Sequence, residues 1–312
     1  MARVVVLGGA HIDRRATISG ATVHGASNPG SWREEAGGGG FNAARGLAHL
    51  GHNVAMVSVR GGDHAGETVS LAMEAAGIDD MAQVFLDRAT PSYTAVLERD
   101  GNLTIAVADM DLYDHFVYRQ LSRKSIRKAI AGSDLILCDA NLPADTLRAL
   151  AGLADANGKP LAAIAISPPK VERLSQAFAS LSTLFLNAAE ATVLCGKTTS
   201  ADQWPQQLRA LGISRAAISR GKDPVIGFDE TGAFRIATPL IEAVVDVTGA
   251  GDTLAAGTLH AMMNGEDFRS ALRYGIASAG LAVQAAEAAP SELSAEKIVA
   301  ALKSVPQPEP FS

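Results

Sequence analysis

Residues 244–262 read VVDVTGAGDTLAAGTLHAM. Gly249, Ala250 and Gly251 follow a short apolar run and precede an Ala- and Leu-rich segment with the composition of a helix. Small residues at a helix start let the backbone come close to a ligand. The unpaired N–H groups and the positive dipole end found there attract an anion. Yet the next residue, Asp252, is itself an anion. One reaction needs both. Phosphoryl transfer to a hydroxyl requires donors for the charge on the phosphoryl oxygens and a base for the hydroxyl proton. Taken alone, GAGD is accounted for equally well as a plain helix N-terminus with an acidic first turn.

Three further runs bear on the choice. GGGGFN (37–42) is a glycine loop entering a helix, NAAE (187–190) follows an apolar strand-like run, and ISRGKDP (218–224) joins a strand to a turn. ATVLCGKTT (191–199) is a decoy, because a phosphate-binding P-loop needs glycine where Ala191 stands. That run reads instead as a helix ending at Gly196. GGAHID (8–13) lacks the G-x-G-x-x-G spacing of a dinucleotide-binding turn. His11 and His49 have no metal-ligand partners in the sequence and read as packing or surface residues.

GGGGFN, NAAE, ISRGKDP and DVTGAGD, in this order along the chain, resemble the signatures of the ribokinase-like (PfkB) carbohydrate and nucleoside kinases, and the resemblance spans nearly the whole chain. It implies Asp252 as catalytic base and Gly249, Ala250 and Gly251 as the anion hole. It implies Asp13 as the carboxylate that grips two sugar hydroxyls, with Gly38 and Asn42 as further sugar contacts. Asn187 would lie near the phosphates of ATP, and Glu190 would act through water on Mg²⁺. Arg220, Gly221 and Lys222 would sit on the nucleotide side. Asp246, Thr248 and Ser291 occupy the places of a monovalent-cation site such as one for K⁺. Val247 replaces a usual threonine, and the turn at 221–224 lacks a usual second glycine, which leaves the adenine contacts open.

The middle of the chain bears on the substrate. SYTAVLERDGNLTIAVADM (92–110), CDANLP (138–143) and SPPKVERL (167–174) resemble segments of the pseudouridine-kinase subgroup. This resemblance implies substrate contacts from Tyr93, Asp109, Met110, Asn141 and Lys170, and transfer of the ATP γ-phosphate to the 5′-hydroxyl of pseudouridine. Ribose, a fructose-type sugar and other nucleosides stay open as acceptors. A non-catalytic sugar- or nucleotide-binding regulator is the reading of a different class. It would be expected to have lost the base at Asp252.

The elements that must position these residues follow the hydrophobic pattern. Strands are expected at 3–8, 53–59, 134–140, 161–167, 182–187 and 215–219, and helices at the end of 37–51 and at 65–78, 143–156 and 201–211. This alternation predicts an α/β, three-layer, doubly wound and mostly parallel sheet. The β-rich runs 92–98 and 103–109 flank RDGN and predict a hairpin. With residues 14–24 they predict a small β lid from about 14–33 and 91–110 on one domain spanning 1–312. The lid is expected to close over substrate and to offer a surface for a homodimer. A second hairpin is expected at 225–237, helices at 250–263, 267–286 and 293–303, and a frayed proline-rich tail at 306–312.

Composition narrows the partners. Among 312 residues, 47% are hydrophobic and 5% aromatic, enough for a large core of small aliphatic side chains. The net charge of -6 argues against nucleic acid as a partner. The basic run RQLSRKSIRK (119–128) reads as a solvated helix face. Cys138 and Cys195 cannot build a disulfide framework or a zinc site, which fits a reducing cytoplasm. The short apolar run at the N-terminus reads as a strand rather than a signal peptide, and no stretch is long enough for a membrane span.

Overall fold

The computed structural model describes residues 1–285, 288 and 290–310. The chain opens with β1 (Arg3–Leu7), β2 (His11–Ile18) and β3 (Gly30–Gly37), and enters α1 (Gly39–His49). β4 (Asn53–Val57) and β5 (Val59–Gly61) precede α2 (His64–Ala75). The short β6 (Asp79–Asp80) and β7 (Gln83–Phe85) lead to the hairpin of β8 (Ser92–Leu97) and β9 (Leu103–Asp109). Helices and strands then alternate through α3 (Lys124–Gly132), β10 (Leu135–Asp139), α4 (Ala144–Ala156), β11 (Leu161–Ile164), β12 (Leu181–Asn187), α5 (Ala188–Cys195), α6 (Trp204–Ala210) and β13 (Ala216–Arg220). The hairpin of β14 (Asp223–Asp229) and β15 (Gly232–Ile236) follows. α7 (Ala250–Met263), α8 (Phe268–Ala282), α9 (Ala295–Leu302) and β16 (Glu309–Pro310) complete the chain.

Ten strands form one sheet in the order β16-β15-β14-β13-β12-β11-β10-β1-β4-β6. The run from β6 to β13 is parallel, and β14, β15 and β16 add an antiparallel edge. Strands buried on both faces are apolar at every position, and their alternate side chains serve two cores. Val4 and Val6 of β1 pack with α1, α2, α7, α8 and α9, whereas Val5 and Leu7 pack with α3 to α6. The architecture is therefore the three-layer α/β fold that the alternation implied. From β1 the chain first builds one side of the sheet through β4 and β6, and then crosses to β10 on the other side. In doubly wound sheets, ligands bind beyond the strand ends at such a reversal. Gly8, Gly9 and Asp139 lie at those ends.

A second sheet of four strands, ordered β3-β2-β8-β9, supplies the small lid. It runs from His11 to Gly37 and from Ser92 to Asp109, so its first pair extends beyond 14–33 at both ends. β3 had not been expected as a strand. Its sequence GSWREEAG has no apolar alternation, and its pairing with β2 is what orders it. The tail also departs from expectation. Glu309 and Pro310 pair with β15 and close the sheet edge, where a proline is tolerated. The expected helix end at Ala286 and the tail residues Phe311 and Ser312 lie outside the described residues. The basic run falls partly on α3, with Lys124, Arg127 and Lys128 exposed as expected. α5 ends at Gly196 (φ 92°), so the P-loop look-alike is a helix terminus.

Candidate active site

α7 begins where its sequence demands. Gly249 stands at φ 75°, a left-handed position that suits glycine, and Ala250 starts the helix. Among the described residues no side chain caps this end, and the amides of Gly251 and Asp252 make no hydrogen bond. They line a cavity of ≈ 1140 Å³. Asn187 and Glu190 share its polar part, and Val225, Leu240, Ile241, Val244, Ile276 and Val283 are among its apolar walls. That combination suits a nucleotide, with phosphates toward the amides and a flat ring between aliphatic side chains. Gly221 (φ 63°) and Lys222 form the turn between β13 and β14 and also line the cavity. Arg220 is half-buried and turned to the Pro224 carbonyl at 3.5 Å and Asp223 at 3.9 Å.

Asp252 is the hub. Asn42 Nδ2 donates to its Oδ2 at 2.9 Å, and Arg45 donates to Asn42 Oδ1 at 2.9 Å, which fixes the amide's orientation. Burial pushes the Asp252 carboxyl up to about 7. The Asn42 hydrogen bond opposes that rise, and the negative charges of Asp139, Glu190 and Asp13 add to it. A carboxylate near neutrality is matched to accepting a proton at physiological pH. Ile166 packs where a side chain on Gly39 would otherwise stand, beside Asp252 Oδ1. Its own backbone is left-handed (φ 70°), a strained state for a β-branched residue.

NAAE is a capping box at the start of α5. The Asn187 side-chain oxygen, Oδ1, accepts from the amides of Ala189 and Glu190. Glu190 Oε2 accepts from the Asn187 amide at 2.7 Å, and its Oε1 from Asn187 Nδ2 at 2.9 Å. Burial pushes the Glu190 carboxyl up, against the bonds from Asn187. Among the described residues no three His, Cys, Asp or Glu side chains converge on one point. A hydrated Mg²⁺ bound mainly by phosphate oxygens needs only one or two carboxylates, and Glu190 at the cavity wall fits that demand.

The acceptor side is built at the topological reversal. Asp139 is fully buried. It accepts hydrogen bonds from the amides of Gly9 (2.8 Å), Gly40 (2.9 Å) and Asn141 (2.9 Å) and from Asn141 Nδ2 (3.1 Å). One carboxylate thus ties the ends of β1 and β10 to the start of α1. Gly38 (φ 108°) lets the chain pass against the Gly9 carbonyl. Asn141 Oδ1 accepts from Lys170 Nζ at 2.6 Å, and burial pulls the Lys170 ammonium down. Asp13 sits on β2 with Tyr93 beside it in register on β8.

His11, read from sequence as a packing or surface residue, is buried and faces Asp13. Its Nε2 lies 3.3 Å from Asp13 Oδ1, and its Nδ1 is 2.9 Å from the buried Tyr113 hydroxyl. The available signal was its spacing. His11, Asp13 and Arg15 alternate along one strand and share one face. Tyr113 and Arg45 were likewise missed as site residues, and they carry no local motif, whereas Asp139 lies in the CDANLP run.

Two expectations meet a different geometry. Asp109 pairs with Ser92, whereas Tyr93 pairs with Ala108, so Asp109 lies on the opposite sheet face from Tyr93 and Asp13 and is exposed. Met110 caps a 3₁₀ turn and packs on the core. The expected monovalent-cation ligands Asp246 and Thr248 do come together, but around the guanidinium of Arg15. One Arg15 nitrogen bonds Asp246 Oδ2 and another donates to Thr248 Oγ1 at 3.0 Å. An organic cation therefore already satisfies these oxygens. Ser291 lies on an exposed turn after Pro290.

A model of the pfkB family carbohydrate kinases matches residues 1–295. The chain belongs to this family. Among curated proteins it is 27% identical to the pseudouridine kinase of Escherichia coli K12, over 87% of each chain. It is 26% identical to the ribokinase of Haemophilus influenzae, over 90% of this chain and 92% of that one. A solved carbohydrate kinase from Agrobacterium tumefaciens is 52% identical, with a TM-score of 0.90 and 99% of each chain covered. Arabidopsis thaliana ribokinase, solved with ribose and ATP, shares the fold at 22% identity, with a TM-score of 0.82 over 97% of this chain and 99% of that one. As a PfkB kinase, the chain is a phosphotransferase acting on an alcohol group of a sugar or nucleoside. In this family ATP is used with a metal ion. Among the described residues, no helix is long and apolar enough to cross a membrane.

Proposed function

We propose that this PfkB kinase transfers the γ-phosphoryl group of ATP to the 5′-hydroxyl of a nucleoside, with pseudouridine the favoured acceptor. Asp13 holds sugar hydroxyls, with Gly38 and Asn42 near it. Asp252 takes the proton of the attacking hydroxyl, while Gly249, Ala250 and Gly251 present first-turn amides to the phosphoryl oxygens. Asn187, Gly221 and Lys222 serve the nucleotide. Mg²⁺, when bound with the nucleotide, would be held through water by Glu190 and would neutralise phosphate charge. Residues 1–312 act as one unit in this reading, and the small sheet is the lid that keeps water from the transfer.

The observation that carries the nucleoside reading is the polar group beyond Asp13. Tyr113 and Asn141 stand against Gly9, where an added Cβ would meet Asn141 Nδ2 at 2.5 Å and the Tyr113 hydroxyl at 3.0 Å, with His11 bonded to Tyr113 and Lys170 to Asn141. A uracil-type ring presents carbonyl acceptors and ring N–H donors that polar groups of this kind can pair. One feature favours a smaller acceptor such as ribose: these four groups already bond to one another in pairs. A coupled assay of ADP release with pseudouridine, uridine, ribose and fructose decides between them. Turnover of pseudouridine above the others is expected. Turnover of a free sugar with none on pseudouridine overturns the nucleoside reading.

A further inference from the structure

Arg15 connects two parts of the molecule that are 231 residues apart in sequence. It lies on β2 of the small sheet, two residues beyond Asp13 and on the same face. Its guanidinium spans Asp246 Oδ2 and Thr248 Oγ1, and Asp246 Oδ1 accepts from the Thr248 amide at 2.8 Å. Thr248 immediately precedes Gly249, the left-handed residue that turns the chain into α7.

Among the described residues few other hydrogen bonds fix this segment. Residues 237–248 contain no helix or strand. Leu240 is 94% exposed and Val247 70% exposed. Among the described residues the other hydrogen-bond tethers are the Val245 and Asp246 amides on the Val283 carbonyl, at 2.8 and 3.4 Å, the Ala250 amide on the Val247 carbonyl at 3.3 Å, and the Thr238 hydroxyl on the Lys222 carbonyl. Burial alone would raise the Asp246 carboxyl. The bonds from Arg15 and Thr248 outweigh it and hold the group below its ordinary value. The pair is half-buried, and two parallel contacts from a planar fork fix direction as well as distance.

We infer that Arg15 is a positioning residue: it holds Asp246 and Thr248 from the lid strand and thereby sets the first-turn amides of α7 against the transferring phosphoryl group. This rests on the reading that those amides receive the phosphoryl group. Because Asp13 sits on the same short strand, a sugar that draws Asp13 into place draws Arg15 and the α7 turn with it. The acceptor and nucleotide halves of the site are coupled through one strand.

The test compares Arg15→Ala, Arg15→Lys and Asp252→Asn in the full chain. It uses ADP release with the acceptor that turns over in the screen, and binding of a non-hydrolysable ATP analogue with and without that acceptor. Arg15→Ala is expected to lower kcat by about 10- to 100-fold, the scale of a reacting group misplaced by ~1 Å. Its melting temperature should change little, and the effect of acceptor on nucleotide affinity should disappear. Arg15→Lys recovers part of kcat, since an ammonium offers a point charge rather than a fork. Methylguanidinium in solution raises the kcat of Arg15→Ala but not that of Asp252→Asn. If Arg15→Ala keeps kcat within twofold while Asp252→Asn is impaired, the positioning role is overturned and the site reading stands. If Asp252→Asn is unimpaired, the site reading falls first. Retained acceptor–nucleotide coupling in Arg15→Ala also overturns the inference.

Discussion

Gly251→Ala separates what the protein requires of the GAGD turn from what a ligand requires. Gly251 has ordinary helical geometry, and beyond its chain neighbours and its own helix backbone no atom among the described residues lies within 4 Å of a Cβ built on it. Nothing in the fold asks for glycine there. Alanine in a helix is favoured over glycine by about 0.5–1 kcal/mol, partly because it restricts the unfolded chain. For a chain of this size that raises the melting temperature by roughly 1–3 °C. The added methyl leans toward the helix N-terminus, into the space its free amides face. Displacing an anion from such donors costs about 10²–10³ in kcat where an oxyanion site has been dismantled.

Gly249→Ala is the companion variant. There the Cβ would stand 2.7 Å from the Ala288 carbonyl carbon and closer still to its oxygen, at φ 75°. Backbone must move, and the left-handed residue alone costs about 1–2 kcal/mol. Thermal melting and coupled ADP release on both variants give the comparison. Gly251→Ala is expected to be stabilised and slow, and Gly249→Ala destabilised and slow. A stabilised Gly251→Ala with kcat within twofold of the parent would refute the assignment of these amides to the reacting phosphoryl group.

Other outcomes follow from the same geometry. With the Asp252 carboxyl at about 7, kcat/KM should fall tenfold per pH unit below neutrality and level off above it. Asp252→Asn should remove that limb and lower kcat by about 10²-fold or more; a profile flat down to pH 5 in the parent excludes Asp252 as the base. His52 bonds His260 at 2.8 Å, and burial, then the His260 charge, lower its imidazole to about 4. The unfolded chain takes up this proton below about 6.5 and the folded chain only near 4, so stability present above pH 6.5 is lost as pH falls toward 4. Thermal melts across that window should show the decline, and His52→Asn should flatten it. On the outer lid face Trp32, Ile105 and Val107 are 57%, 60% and 62% exposed and share one side of the sheet. If this face pairs two copies, Ile105→Lys with Val107→Lys should halve the mass measured by light scattering.

What could be foreseen differs by the range of the interaction. α7 runs from Ala250 to Met263 as expected, because a glycine turn, a small-residue run and Gly265 mark both of its ends locally. The hairpin of β8 and β9 was legible for the same reason. β3 escaped because its residues are polar and exposed, and only its partner strand makes it β. The tying role of Asp139 escaped because its donors, from Gly9, Gly40 and Asn141, are brought together only by the sheet reversal. The grip of Arg15 on Asp246 escaped because no pattern within a short window relates β2 to the turn before α7.

Ile166 and Gly39 restrict one another's evolution. An isoleucine in a left-handed backbone carries about 1–3 kcal/mol of strain that glycine or asparagine would relieve. Its δ-methyl occupies the place of any side chain on residue 39. Position 39 therefore admits a larger residue only after position 166 has shrunk, and shrinking 166 first opens a gap beside Asp252. Substitutions at these two sites, 127 positions apart, are expected to travel as a pair through descendants of this chain, in one order more readily than the other.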